Sequence, residues 1–199
     1  MLLGQRRATV ERETQETRVK VEVNIDGEGS HEIDTGIHFL NHLLSSLAFH
    51  GLMDLKVQAT GDLKVDDHHL TEDVAITLGQ ALSSAMGEKP GVKRFGSAVI
   101  PMDDALIMAS IDLSGRVHFE SNLEFRRAKI GDLMAEMVNH FFKSFAEAGR
   151  FNLHIVTLRG FNDHHKAEGA FKAVGLALAQ AMEVNPRLKG KLASAKGVL

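Results

Sequence analysis

The chain has 199 residues, 44% of them hydrophobic and 25% charged, with 11 histidines, no cysteine and a net charge of −3. A chain of this length buries roughly 70% of the surface it would expose unfolded and needs no covalent staples. The lack of cysteine excludes a disulfide framework and a thiolate nucleophile, so any bound metal sits on nitrogen and oxygen. The negative balance argues against general nucleic-acid binding through a basic face, and no apolar run approaches the ~18 residues of a membrane span. The opening "MLLGQRRATVERET" turns polar after three residues and lacks the apolar stretch of a secretory signal, which makes the cytoplasm the expected location.

Alternation in "TRVKVEVNID" (17–26) predicts a strand bounded by Gly27. Ile37, Leu40, Leu44 and Leu47 then recur at helical spacing, and Gly51 closes that helix. A short strand, "LKVQAT" (55–60), leads to an Ala- and Leu-rich helix over about 67–87, with Asp67 as its candidate N-cap. The same order then returns. "ALIMASIDL" (105–113) predicts a strand bounded by Gly115. Met134, Met137, Phe141 and Phe145 mark a helix closed by Gly149, and "LHIVTL" (153–158) precedes a long helix over about 163–183 opened by Asp163. Pro90, Pro101 and Pro186 all fall outside these helices, as the missing N–H and the ring of proline require.

The recurrence extends to individual residues. "NHLLSSLAFHGLMDLKV" (41–57) aligns with "NHFFKSFAEAGRFNLHI" (139–155), pairing Asn41 with Asn139, His42 with His140, Ser46 with Ser144, Ala48 with Ala146 and Gly51 with Gly149. Downstream, Asp67, His68, His69, Glu72 and Gly79 pair with Asp163, His164, His165, Glu168 and Gly175. "RVKVEVNIDGEG" (18–29) resembles "LIMASIDLSGRV" (106–117) more weakly. The chain therefore divides into two repeats, about 5–92 and 93–187, followed by a short tail, 188–199. The class is α+β, with strands gathered in a sheet and two helices per half. No Gly/Ser- or Pro-rich linker lies near residue 92, so a single compact pseudo-symmetric domain is expected rather than two beads.

The clusters "DHHLTED" (67–73) and "DHHKAEG" (163–169) carry the chemistry. On a helix His68 and Glu72 are i and i+4 and share a face, whereas His69 points about 100° away. If they bind metal, His68 and Glu72 serve one ion and His69 another. In the second copy His164 and Glu168 likewise share an ion, and His165 serves the other. His42 and His140 are the remaining histidines that match across the repeat and complete the set. His38 lies at i−4 from His42, but its counterpart is Glu136, so it ranks lower. Six histidines and two glutamates amount to three imidazoles and one carboxylate per ion. Such a set suits Mn²⁺, Fe²⁺ or Zn²⁺, and an octahedral ion would keep two positions open. His31, His118 and His154 have no counterparts and are read as surface or core histidines.

Together these stretches, with "RRATVERETQET", "DTGIHFLNHLL", "DDHHLTEDVAITLGQAL", "RFGSAVIPMDDAL", "DLSGR", "NDHHKAEGAFKA" and "SAKGVL", resemble the imidazoleglycerol-phosphate dehydratase family over nearly the whole chain. The resemblance implies a hydro-lyase of histidine biosynthesis that converts imidazole glycerol phosphate to imidazole acetol phosphate. It implies helices of the two halves packed between two β-sheets, and two Mn²⁺ per active site. One ion would take His42, His69, His164 and Glu168, the other His68, Glu72, His140 and His165. It also implies sites between subunits of a trimer-based 24-mer, with no nucleic-acid or membrane partner.

The reaction removes an unactivated C–H proton and expels hydroxide, for which a metal supplies a Lewis acid and template. By the resemblance Glu16 is a substrate-binding residue and the candidate base or proton relay, and Glu72, Glu168 and His50, the last in a substrate-contact segment, are the further catalytic candidates. Arg94, Arg116 and Lys172, with Ser194 and Lys196 of the tail, would hold the phosphate. His42, His68, Glu72, His164 and Glu168 would face the substrate as well as the ions. Two rivals share some of these features: a two-metal phosphate-ester hydrolase, which would need a bridging carboxylate, and metals that act only as structural clips between subunits. The roles of Asp103 and Asp104 in "PMDDAL" are left open by the sequence.

Overall fold

A computed structural model describes residues 6–197. Gln5, at the expected start of the first repeat, and Val198 and Leu199, at the end of the tail, lie outside the described residues. In the first half, strands β1 (Arg7–Glu13), β2 (Thr17–Asn24) and β3 (His31–Asp34) precede helix α1 (His38–His50), strand β4 (Asp54–Gly61) and helix α2 (His68–Met86). The second half has β5 (Phe95–Met102), β6 (Ala105–Asp112) and β7 (His118–Ser121), then a small hairpin of β8 (Lys129–Ile130) and β9 (Leu133–Met134). Helix α3 (Glu136–Gly149), strand β10 (Asn152–Arg159) and helix α4 (Asp163–Met182) follow.

Two four-stranded sheets form, in the orders β1-β2-β4-β3 and β5-β6-β10-β7. Their pairing is the same: β2 runs antiparallel to β1 and β4, β6 antiparallel to β5 and β10, and the last strand of each sheet is parallel to its neighbour. The duplication read from the sequence is thus a duplication of topology. It is interrupted once. His31 and His118, which open β3 and β7, are 87 positions apart, whereas α1 and α3 are offset by 98, so the second half carries an added segment that holds the β8–β9 hairpin.

Alternation along the strands supplies the inner faces. Val19, Val21 and Val23 of β2, with Leu55 and Val57 of β4, are buried under the helices, and Ile107, Ala109, Ile111, Leu153 and Ile155 do the same opposite. Helix α2 lies on β1 and β2, and α4 on β5 and β6. Between the sheets α2 packs on α3, and α1 on α4, so each long helix contacts the other half's shorter one. Phe141, Phe142, Phe145 and Phe171 fill the centre, with Phe142 and Phe171 centroids 4.5 Å apart. The helix crossings are held close by glycine. A Cβ on Gly79 would lie 2.6 Å from the Phe145 carbonyl oxygen, and one on Gly175 would lie 2.7 Å from that of Leu47. The sequence alignment paired these two glycines, and the fold uses them identically.

Three local expectations are corrected. Asp67 and Asp163 are not the capping side chains: Asp66 Oδ1 accepts the His68 N–H at 2.9 Å and Asn162 Oδ1 accepts that of His164 at 3.0 Å, one residue earlier in each half. Asp67 and Asp163 turn instead to the added segment, accepting the N–H groups of Met134 and of Arg126 and Arg127. Met134 belongs to β9 rather than to α3, and α3 is closed by Arg150 in the left-handed conformation rather than by Gly149. Strands β1 and β5 carry no clear sequence signal, because β1 buries little beyond Ala8 and Val10 and β5 contains Gly96 and Pro101, which an edge strand tolerates.

Candidate metal centre and active site

The first turns of α2 and α4 present the clustered histidines. His68 and Glu72 on α2 meet His140 on α3, with His140 Nε2 2.8 Å from Glu72 Oε1 and the His68 and His140 rings 4.6 Å apart. His164 and Glu168 on α4 meet His42 on α1: Glu168 Oε2 is 3.1 Å from His164 Nε2 and 3.3 Å from His42 Nε2. In both groups the three ligand atoms lie within 4.8 Å of one another. Each is therefore a His-His-Glu triad drawn from both halves, and its mixed nitrogen and oxygen donors fit a divalent first-row ion with positions left open.

His69 and His165 stand apart from the triads, as helix geometry demands of a neighbouring position. His69 Nδ1 is 3.0 Å from Asp62 Oδ2 and 3.6 Å from Glu16 Oε2. The Asp62 hydrogen bond, helped by the charge of Glu16, raises the pKa of this imidazole. His165 Nδ1 is 2.6 Å from Asp104 Oδ1, and its Nε2 is 3.3 Å from Asp103 Oδ2. The backbone N–H groups of Asn162 and Phe161, together with His165, hold the Asp104 carboxyl well below the usual range. One chain thus brings together three of the four expected ligands for each ion, and the rings of His69 and His165 lie 6.0 and 6.1 Å from those of His68 and His164, outside both triads.

Lys172, one turn along α4, places Nζ 2.7 Å from Glu168 Oε1. Burial opposes ionisation of Glu168, yet the hydrogen bonds from Lys172 and His42 outweigh it and bring the carboxyl down to about 2. His50, at the C-terminal end of α1, has its pKa lowered by burial and by the nearby Lys172 charge, which favours a neutral imidazole. His38 sits at the exposed start of α1, where its N–H donates to Asp132, and lines an open depression with Phe39, His42 and His164.

The expected phosphate ligands do not all meet in one chain. Arg94 makes a bidentate pair with Asp112, at 2.6 and 3.0 Å, and donates to the Ala193 carbonyl at 3.0 Å, which docks the tail just before Ser194. Arg116 Nη2 is 3.8 Å from the same Asp112, and Ser194 and Lys196 lie in the docked segment. The Arg94 N–H bonds to Ala181. Since Ala181 is 13 residues beyond Glu168, this cluster sits roughly 20 Å along α4 from the triad at ~1.5 Å per residue. Lys172 remains with the triad.

Asp62 was missed by sequence reasoning. It lies seven residues before His69 in "GDLKVDDHH", a spacing that does not by itself imply contact, and Gly160 stands opposite it in the repeat. Asp104 is now placed as the partner of His165.

The family model described as Imidazoleglycerol-phosphate dehydratase matches residues 35–178. The chain is 50% identical over 194 residues to the imidazoleglycerol-phosphate dehydratase of Bordetella avium, which covers 98% of this chain and 100% of that one. The chain belongs to the imidazoleglycerol-phosphate dehydratase family. A family member from Methanothermobacter thermautotrophicus is also 50% identical, over 96% of this chain and 100% of its own length. The crystal structure of the Staphylococcus aureus dehydratase shares the fold at a TM-score of 0.82 and 34% identity, covering 90% of this chain and 99% of that one. The Pyrococcus furiosus structure matches at 0.82 and 37%, covering 96% and 100%. The activity of an imidazoleglycerol-phosphate dehydratase is that of a hydro-lyase, a dehydration within histidine biosynthesis, and its substrate is a small phosphorylated imidazole. No helix among the described residues is long and apolar enough to cross a membrane.

Proposed function

We infer that this member of the family dehydrates D-erythro-imidazole glycerol phosphate with two Mn²⁺ per active site, in a single domain of two repeats whose tail, 188–199, helps bind the substrate. The observation that carries the reading is the pair of equivalent triads, His42/His164/Glu168 and His68/Glu72/His140. His69 and His165 are read as the fourth ligands, each supplied to a triad of another copy. Their separation from the triads in one chain, and the distance along α4 between Arg94 and Glu168, both support sites built between copies, as in the trimer-based 24-mer that the resemblance implied. The cytoplasm is the proposed location.

When bound, the ions supply Lewis acidity toward the substrate's imidazole and fix its orientation. The chain's own groups divide the remaining work. Glu16, exposed at the β1–β2 turn and outside hydrogen-bond reach of His69, takes the C–H proton and can return it to the departing hydroxide as a relay. Glu72 and Glu168 neutralise the ions and orient His140 and His42, while neutral His50 contacts the substrate without adding charge. Lys172 keeps Glu168 ionised. Arg94 and Arg116, with Ser194 and Lys196, are proposed to grip the phosphate, for which a guanidinium fork suits paired oxygens. Neither triad shares a carboxylate with the other, which favours the dehydratase reading over a bridged two-metal hydrolase.

The test is consumption of imidazole glycerol phosphate by chelated protein with and without added Mn²⁺. Activity restored by Mn²⁺ supports the reading; no activity in any metal form sinks it.

A further inference from the structure

The two histidines left out of the triads are held in different ways, and the difference bears on Glu16. Both have Nδ1 against a carboxylate: Asp62 for His69, at 3.0 Å, and Asp104 for His165, at 2.6 Å. The two carboxylates are not counterparts. Asp104 immediately precedes β6, and the residue that immediately precedes β2 is Glu16. Asp62 follows β4, and the residue that follows β10 is Gly160, which has no side chain. The second half therefore holds its histidine with the residue matching Glu16, whereas the first half uses an acid from elsewhere.

An imidazole has one proton to offer at Nδ1, so Asp62 and Glu16 cannot both accept it. Asp62 has it, and Glu16 lies beyond hydrogen-bond distance at 3.6 Å. The Asp62 side chain has one hydrogen-bond partner among the described residues, His69. Its Oδ2 meets only His69, and its Oδ1 is shielded from solvent without a hydrogen-bond partner among the described residues. A carboxylate oxygen without a protein partner is uncommon in a group that serves the fold alone. Asp104, in contrast, also accepts the N–H groups of Phe161 and Asn162, at 2.7 and 3.0 Å.

We propose that Asp62 is a positioning residue. It fixes His69 as the tautomer protonated at Nδ1, presents Nε2 as the metal-binding nitrogen, and by occupying Nδ1 leaves the Glu16 carboxylate free for substrate. Asp104 accepts at His165 Nδ1 in the same way, with Asp103 Oδ2 3.3 Å from Nε2; because Asp104 is itself the residue that matches Glu16, the second half keeps no free counterpart of Glu16 at that position. The inference rests on the metal reading above, in which His69 is a ligand.

The experiment titrates full-length protein with Mn²⁺ and follows the free ion by its paramagnetic resonance signal, alongside thermal unfolding of the metal-free protein. Asp62→Ala is expected to weaken one of the two Mn²⁺ sites by about 10–100-fold, the scale for losing a carboxylate behind a ligating histidine. Metal-free unfolding should shift little, because loss of the His69 hydrogen bond is offset by removal of a buried unpaired oxygen. Asp62→Asn, whose amide oxygen still accepts the Nδ1 proton, should recover most of the affinity. Wild-type affinity at both sites in Asp62→Ala overturns the proposal, as does a loss of affinity that merely tracks a loss of metal-free stability. Wild-type protein that sequesters no Mn²⁺ overturns the metal reading itself, and this inference with it. Asp104→Ala serves as contrast: it should lose affinity and metal-free stability together.

Discussion

Glu72 on α2 and His140 on α3 meet at 2.8 Å across the boundary between the two halves, and Glu168 on α4 meets His42 on α1 at 3.3 Å in the equivalent place. Each carboxylate belongs to one triad only. Glu72→Ala and Glu168→Ala should therefore each remove one tight Mn²⁺ per chain while leaving the other. The loss at the affected site should be at least tenfold, about 1.4 kcal/mol. Titration calorimetry that still finds two tight ions in either variant would contradict the assignment of one carboxylate per ion.

Gly79 and Gly175 allow the paired helices to touch. Alanine at either site gains up to ~1 kcal/mol of helix propensity. Its Cβ, however, would meet backbone atoms 2.6–2.7 Å away, which cannot yield as a flexible side chain would. Overpacking of this kind costs about 1–3 kcal/mol, so the net effect is destabilising. Denaturant unfolding should show a lowered midpoint for Gly79→Ala and for Gly175→Ala, and a raised midpoint would mean the crossings are looser than described.

Asp54 ties the β2–β3 connection to β4. It accepts the Glu28 N–H at 2.9 Å, the Asn24 amide at 2.8 Å and the Ser30 N–H at 3.2 Å, and these bonds lower its pKa from the ordinary 3.8. A carboxyl lowered in the folded state contributes stability above its unfolded pKa and loses it as pH falls through the folded one. The contribution is thus whole at pH 7 and fades below about pH 4. Asp54→Asn should be less stable than wild type at neutral pH, with the difference narrowing under acid. Parallel stability curves from pH 7 to pH 3 would rule out this origin.

Glu16 is expected to affect turnover and not assembly or metal. Glu16→Gln should lower kcat by about 10²–10⁴-fold, the usual scale for a lost acid–base group, with Mn²⁺ stoichiometry kept. Retained turnover would favour metals acting as structural clips.

The tail is docked through Ala193, whose carbonyl accepts from Arg94. Deleting residues 194–199 should raise KM about tenfold or more, a loss of ~1.4 kcal/mol in substrate binding. Steady-state kinetics with an unchanged KM would remove Ser194 and Lys196 from the phosphate site.

Much of this was legible in the chain. His68 with Glu72, and His164 with Glu168, are fixed four residues apart by the pitch of a helix, and the same pitch sends His69 and His165 elsewhere. The repeat then singled out His42 and His140, because matched histidines are improbable among 11. Local spacing and self-similarity were sufficient for these, since each depends on residues close in sequence or on their copies. Tertiary structure alone decided the rest. Asp62 reaches His69 only because β4 ends beside the start of α2, and Gly79 matters only because α3 crosses there. Arg94 is separated from Glu168 by the length of α4. Those relations arise from how sheets and helices pack around one core, and no spacing along the chain encodes them.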